Sequence, residues 1–212
     1  MTTNKVITGI FPTPIFQYED VTEITAEELN LVENEIDSCR NIGNSTSLDN
    51  YILNRKEFKE LKNILTDKIN DYFQEVYAPV NKDLELYITQ SWLNYTAEGE
   101  YHHAHHHNNS IASGVFYFKA DKKVDKICFD KRDIIDNFQL ASLHIETART
   151  NNFNARLWGI NVETNMLVVF PSTSIHAVQD KKGDSLRISL AFNTFIKGTL
   201  GSKERLDELI LL

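Results

Sequence analysis

The chain has 212 residues, 42% of them hydrophobic, which is enough for one sizeable core. Its formal net charge of −8 argues against a broad nucleic-acid-binding surface, because nonspecific affinity for nucleic acid comes from clustered Lys and Arg. No apolar run approaches the roughly 20 residues of a membrane span, and the segment after Met1 lacks the apolar core of a signal peptide. Cys39 and Cys128 are the only cysteines, so we expect a soluble protein of a reducing compartment.

The first 82 residues are predicted to form an arm and helices. The β-branched and aromatic run from Val6 to Phe16 contains two prolines, which confine it to an edge strand or an extended arm. Thr25-Ala-Glu-Glu28 has the spacing of a capping box, and a loose apolar stripe ending at Cys39 predicts a helix up to about residue 40. A stronger helical repeat runs from Arg55 to Val76.

Residues 83–200 change to short β-rich runs separated by polar turns. Strands without intervening helices predict an antiparallel sandwich or barrel, so the fold class is α+β, with helices packed on one β core in a single domain, 1–212. Residues 201–212 form a tail, in which Ser202–Leu212 could be a short helix. The predicted strands are 84–95, 110–120, 126–129, 153–162, 166–170, 175–179 and 186–195.

A cluster of histidines lies in the middle of the chain. Five of the seven histidines lie within the six consecutive positions 102–107, namely His102, His103, His105, His106 and His107. Imidazole is the commonest protein ligand of transition metals, so a metal site is the first hypothesis. Residues two apart in a strand point the same way, which puts His105 and His107 on one face together with His103. His102 and His106 would face the other way, where solvation is expected, but parity alone does not choose the ligand pair.

A third ligand should come from a distant strand, where His144 and His176 remain. His176 is the better candidate, because it follows a buried-looking strand and a turn and so begins a new strand. His144 lies in a less regular segment and is expected to be a surface or core histidine.

A strand with two distinct faces follows His176. Arg187, Ser189, Ala191 and Asn193 share one face, and the alternate positions, Leu186 to Phe192, are apolar. An arginine between apolar neighbours needs a partner for its guanidinium, whose planar fork fits a carboxylate. That carboxylate could belong to a protein Asp or Glu or to a ligand.

Taken together, these motifs resemble the 2-oxoglutarate- and Fe(II)-dependent oxygenases, and more narrowly a small branch of them found in bacteria and phages. The resemblance covers about residues 91–195 in order, and Phe11–Phe16 also resembles the start of that branch. The motifs that carry it are Ser91-Trp-Leu-Asn94, Gly99, His105-His-His107, Ser113-Gly-Val-Phe-Tyr117, Phe170-Pro-Ser172, His176 and Arg187–Asn193.

The resemblance implies a double-stranded β-helix, or jelly roll, with N-terminal helices packed against it and iron at one mouth. The spacing from Gly99 selects His105 and His107, with His176, as metal ligands. 2-Oxoglutarate would chelate the iron, with its distal carboxylate on Arg187 and a hydrogen bond from Ser189. Reaction with O2 would yield succinate and CO2 and hydroxylate a C–H bond of a peptide, amino acid or small molecule.

One position departs from the family pattern. The common triad is two histidines and one carboxylate, whereas His107 here occupies the acidic position and is followed by two asparagines. Either His107 is a ligand, or water, a halide or an acid from elsewhere fills that place. Glu98 and Glu100 precede the histidines and are expected to belong to the entering loop.

Two other readings remain. Gly99 with His105-x-His107, and Pro171 with His176, also fit a cupin with a three-histidine metal site, although Ile111 and Ala112 stand where the cupin acid is expected. A non-enzymatic metal-binding β-sandwich is the second. Neither reading explains Arg187.

Candidate pocket residues are Trp92, Asn94, Tyr117 and Asn193, although aromatic strand residues are more often part of a core. No nucleic-acid or membrane partner is expected. The oligomeric state stays open, with a homodimer as one option. The expected location is the cytoplasm, that of the host if a phage encodes the chain.

Overall fold

The computed structural model describes residues 8–131 and 146–212, so His144 lies outside the described residues. These two ranges contain two α-helices, α1 (Ala26–Asn30) and α2 (Lys59–Tyr77), and a larger number of strands. The strands are β1 (Phe16–Tyr18), β2 (Ser38–Arg40), β3 (Ser45–Ser47), β4 (Glu85–Thr96), β5 (His102–His105), β6 (Ala112–Lys119), β7 (Lys126–Asp130), β8 (Leu157–Asn161), β9 (Leu167–Pro171), β10 (Ile175–Val178), β11 (Arg187–Leu200) and β12 (Leu209–Leu211).

The strands form two antiparallel sheets. The major sheet has the order β1-β9-β6-β11-β4-β3-β2, with β12 paired to β11 off this path, and the minor sheet has the order β5-β10-β7-β8. The α+β class predicted from the sequence is confirmed. Strand β5 was absent from the predicted strands, and β8 is shorter than the predicted run 153–162.

The major sheet lies between a helical layer and the minor sheet. On one face, apolar residues of α2 such as Leu65 and Ile69 form a buried cluster with Leu190 and Phe192 of β11. On the other face, a second cluster includes Phe129 of the minor sheet and residues of β6, β9 and β11. The predicted alternation along β11 is thus confirmed. Gly114 of β6 permits close packing against Phe192 of the neighbouring strand β11, since a Cβ at this position would lie 2.2 Å from the Phe192 ring.

The helix predictions are confirmed in one case and only partly in the other. Helix α2 matches the predicted repeat and ends at Ala78 in the left-handed conformation, with φ 43°. The capping box at α1 is present, because Thr25 and Glu28 exchange side-chain to backbone hydrogen bonds of 3.1 and 2.8 Å. The predicted extension to residue 40 is wrong: a π-helical turn ends at residue 35, and exposed Cys39 lies in β2, where pairing with β3 replaces the helix.

The chain termini also add strands to the major sheet. Strand β1 pairs with β9 and lies at the edge of the major sheet. It directly follows the two prolines from which an edge strand or an extended arm was predicted. The predicted C-terminal helix is wrong. Leu209–Leu211 instead pair with Gly198–Leu200 as strand β12, since an unpaired strand end offers backbone groups that a hairpin partner can satisfy. Among the described residues, no helix is both long and apolar enough to cross a membrane.

Candidate metal and cosubstrate site

Three histidines converge where the minor sheet meets the loop after β5. His105 and His176 are paired across β5 and β10, and their ring centroids are 4.4 Å apart. His107 lies two residues beyond β5, where its backbone N–H donates to the Ser172 carbonyl at 2.9 Å. One ring nitrogen of each of these three residues lies within 4.8 Å of the others. We call them the inner triad.

The hydrogen bonds of the inner triad leave one nitrogen of each ring free. The Nδ1 of His105 contacts the His103 carbonyl at 2.8 Å, and the Nδ1 of His176 contacts the Ser174 carbonyl at 3.0 Å. Since a carbonyl only accepts, both Nδ1 atoms carry the proton and both Nε2 atoms present lone pairs. The Nε2 atoms of His105 and His107 are 3.2 Å apart. Lone pairs at this spacing fit a shared divalent transition metal such as Fe(II).

Electrostatics keeps the inner triad neutral. Burial lowers the pKa of His107 to about 4, with the hydrogen bond to Asn193 opposing this shift. Burial also lowers the pKa of His105, and it holds that of His176 well below the usual range. Neutral imidazole is the form that binds a metal, so the site is ready for a cation at neutral pH.

A polar network behind His107 orients its ring. The Nδ1 of His107 lies 2.5 Å from the Asn193 Oδ1 and 2.8 Å from the Ser113 Oγ. Ser113 in turn lies 2.8 Å from the Ser172 hydroxyl, which donates to Ser110 at 2.7 Å. Such outer partners fix the tautomer of a metal-binding histidine. The serines were not predicted as site residues, although Ser113 and Ser172 stand in the motifs quoted above.

Arg187 is 3% exposed and has no acidic partner among the described residues. Its Nη1 donates to the Lys126 carbonyl at 3.2 Å and its Nη2 to the Tyr117 hydroxyl at 3.4 Å, while the Nε has no hydrogen-bond partner in the described segments. Asp125 lies nearby but pairs with buried Lys181 at 3.4 Å. A buried guanidinium without a carboxylate is costly, which favours a carboxylate ligand over a protein acid.

One pocket connects the inner triad to Arg187. Strands β4 and β11 supply its polar wall, and β6, β7 and β10 supply apolar residues. Its lining residues are Trp92, Asn94, Thr96, His102, His105, His107, Val115, Ile127, His176, Ala177, Val178, Arg187, Ser189 and Ala191.

The four predicted pocket residues divide into two groups. Trp92 and Asn94 line the pocket, and the buried Oδ1 of Asn94 has no hydrogen-bond partner within residues 8–131 and 146–212. Tyr117 does not line it but lies fully buried against Arg187, whose guanidinium carbon is 5.1 Å from the ring centroid. Asn193 lies behind His107 and contacts that ring rather than the pocket.

The predicted orientation of His102 is wrong. The ring of His102 stacks on that of His105 at 4.5 Å and lines the pocket instead of facing away from it. The register between β5 and β10 shifts between His176 and Val178, so that two residues of β5, His103 and Ala104, oppose one residue of β10, Ala177. A bulge of this kind breaks the two-residue parity from which the orientation was predicted.

The two acidic residues of the entering loop do not reach the inner triad. Glu100 accepts from the Ala97 N–H at 2.9 Å and pairs with Arg40. In the described part of the chain, no carboxylate joins a metal-competent cluster with His107. Among the described residues, His107 rather than a carboxylate completes this cluster of groups that could hold a metal ion.

Comparisons with known proteins agree with this geometry. Residues 90–193 match a family model described as "Putative 2OG-Fe(II) oxygenase". No curated protein sequence matches the chain significantly.

Solved structures of the same kind share the fold at low sequence identity. HygX of Streptomyces hygroscopicus, with nickel, 2-oxoglutarate and hygromycin B bound, has a TM-score of 0.57 at 14% identity, over 86% of this chain and 82% of that one. An oxidoreductase of the 2OG-Fe(II) oxygenase family from Burkholderia pseudomallei has a TM-score of 0.55 at 11% identity, over 85% and 83%. The collagen prolyl hydroxylase of Paramecium Bursaria Chlorella virus-1, in its 2OG complex, has a TM-score of 0.50 at 11% identity, over 85% and 94%.

The matched segment contains the histidine cluster, His176 and Arg187, the residues from which the resemblance was first drawn. Over residues 90–193, just under half of the chain, the protein is similar to the 2OG-Fe(II) oxygenases, which indicates an oxidoreductase that uses iron, 2-oxoglutarate and O2.

Proposed function

We propose that His105, His107 and His176 hold the iron, and that the chain couples conversion of 2-oxoglutarate to succinate and CO2 to hydroxylation of a substrate C–H bond. The observation that carries this proposal is the pocket itself. Converging histidine nitrogens lie at one part of its wall, and at another lies a buried arginine that has no acidic partner among the described residues. A dicarboxylic 2-oxo acid has the two ends that these groups bind.

The cosubstrate end of the pocket is built for a carboxylate. Arg187 keeps a free Nε and two weakly engaged Nη atoms, with contacts of 3.2 and 3.4 Å, so a carboxylate can form charge-assisted hydrogen bonds with it. Tyr117 contacts the guanidinium with both its ring and its hydroxyl. Burial raises the pKa of Tyr117 to about 12, so the hydroxyl stays protonated. Ser189 lies on the same strand face two residues away and offers a hydroxyl donor.

The metal end is built from neutral donors. Iron, when bound, supplies the redox chemistry that activates O2 and oxidises the substrate. The protein contributes three oriented imidazoles, with Asn193 and Ser113 holding the ring of His107. Apolar side chains of Val115 and Ile127 line the space beside these donors.

The substrate class follows from the relatives only as a proposal. One similar structure holds the small molecule hygromycin B, and another is a collagen prolyl hydroxylase, so both small-molecule and peptide substrates are represented. We infer that Trp92, whose ring centroid is 5.5 Å from that of His107, contacts the substrate at the metal. We also propose a double-stranded β-helix core over residues 83–200, which the two facing sheets support. The whole chain would form a single domain, located in the cytoplasm.

The test is binding and turnover of 2-oxoglutarate by the intact protein. Anaerobic titration of the Fe(II)-loaded protein should produce the visible absorption of a chelated 2-oxo acid, and admission of O2 should yield succinate detectable by NMR. His106→Ala is the matched control, because His106 is exposed in the same segment. Iron binding without 2-oxoglutarate binding would contradict the proposal and favour the cupin or non-enzymatic reading.

A further inference from the structure

Two histidines of the cluster have no role in the proposed function, yet they form a second group with His105. The ring nitrogens of His102, His103 and His105 lie within 4.8 Å of one another. Their ring centroids are 4.5 Å apart for His102 and His105, 5.1 Å for His102 and His103, and 5.2 Å for His103 and His105. We call these three residues the outer triplet.

The irregular register of β5 brings the outer triplet together. Neighbouring residues such as His102 and His103 point to opposite faces of a regular strand. Here the bulge against β10 places both rings beside His105. The Nδ1 of His103 is buried and has no hydrogen-bond partner in the part of the chain that the structure describes. A buried nitrogen without a partner is costly, and a cation bound by the outer triplet would satisfy it.

We propose that the outer triplet is a second metal position that takes a borderline divalent ion such as Zn²⁺, Co²⁺ or Ni²⁺. Three imidazoles are a ligand set that suits these ions. The outer triplet is half-buried, whereas His107 and His176 are 8% and 5% exposed, so an ion from solvent meets the outer position first.

The two positions exclude one another because they share His105. The Nδ1 of His105 donates to the His103 carbonyl, which leaves only the Nε2 to bind a metal. One lone pair binds one ion, so an ion in the outer triplet removes a ligand from the inner triad. An excess of an outer-site metal would therefore compete with iron through the shared histidine.

The experiment isolates the outer position by removing the inner one. The double variant His107→Ala/His176→Ala, in the full chain, is titrated with Co²⁺ by calorimetry. We expect it to bind one Co²⁺. Adding His103→Asn should then weaken binding by more than the roughly 10- to 100-fold that loss of an outer-shell partner causes. Adding His106→Asn, an exposed neighbour, should leave the affinity unchanged.

Several results would overturn the proposal. They are absence of Co²⁺ binding in the double variant, equal affinities with His103→Asn and His106→Asn, or simultaneous tight binding of two Co²⁺ ions by the unsubstituted protein. Circular dichroism and thermal unfolding check folding, and His102→Gln replaces His103→Asn if the latter does not fold.

The proposal rests on the metal site of the proposed function but not on 2-oxoglutarate. Its failure would leave cosubstrate binding intact, and failure of cosubstrate binding would leave these titrations unchanged.

Discussion

The two faces of the major sheet differ in chemistry although the same strands build both. Towards α2, β11 contributes Ile188, Leu190 and Phe192 to an apolar cluster. Towards the minor sheet, the alternate residues Arg187 and Ser189 line the pocket. The difference shows that one strand can stabilise the fold and bind a ligand, because successive side chains point to opposite faces. Substitutions on the two faces should therefore separate stability from binding.

The largest expected effect on the site face is loss of the metal. His176→Ala removes one of three donors and should weaken Fe(II) binding to the inner triad by about 100-fold or more, beyond the effect of an outer-shell change. Calorimetry with His106→Ala as control measures it. Equal affinities of the two variants would show that the inner triad is assigned to the wrong histidines.

On the helix-side face, truncation should cost stability and spare binding. Leu190 is fully buried, so Leu190→Ala should lower the free energy of unfolding by about 2–5 kcal/mol through lost transfer energy and a cavity. Chemical denaturation measures the change. Metal affinity measured well below the unfolding transition should stay at the unsubstituted value, and a parallel loss would mean that the two faces are coupled.

Arg187→Lys tests the site face without removing the charge. The ammonium group of lysine is a point charge and lacks the planar fork of the guanidinium. Loss of hydrogen bonds to a charged group costs about 1.5–3 kcal/mol, so the affinity for 2-oxoglutarate should fall by about 10- to 100-fold. Titration of the metal-loaded protein measures it, with Arg205→Lys, at an exposed arginine, as the matched control. Unchanged cosubstrate affinity would remove Arg187 from the site.

The metal-free site should also make stability depend on pH. Because burial lowers the pKa of His107 from 6.5 to about 4, the unfolded chain binds more protons than the folded one between these values. Stability should therefore be constant above about pH 6.5 and fall as pH decreases towards 4, by about 1.4 kcal/mol per pKa unit for such a group. Denaturation at several pH values measures how steeply the free energy of unfolding depends on pH. His107→Gln should reduce this dependence, and an equal dependence in the variant would contradict the lowered pKa of His107.

The smallest effect is expected from the network behind His107. Ser113→Ala removes a hydroxyl 2.8 Å from the His107 Nδ1 but leaves Asn193 in place, so the metal affinity should fall by about tenfold, the lower end for an outer partner. Metal titration compares it with Ser202→Ala at the distant C-terminal hairpin. A loss as large as that of His176→Ala would mean that Ser113 acts directly at the metal.

Much of the fold was predictable because it depends on local patterns. The repeat of α2, the capping box at Thr25 and the alternation along β11 each depend on neighbours within a few residues. The errors occurred where pairing with a neighbouring strand decided the outcome. Residues 38–40 and 209–211 became strands because β3 and the end of β11 pair with them, which no local periodicity indicates.

The sequence by itself determined which residue types could form the site: the histidine cluster, His176 and the Arg187-x-Ser189 strand, since these motifs are contiguous or ordered along the chain. Tertiary structure alone decided their arrangement. The bulge between β5 and β10 turned His102 inward, and β11 placed Asn193 behind His107 rather than in the pocket. The physical reason is that side-chain direction in a sheet depends on register, and register is set by the partner strand.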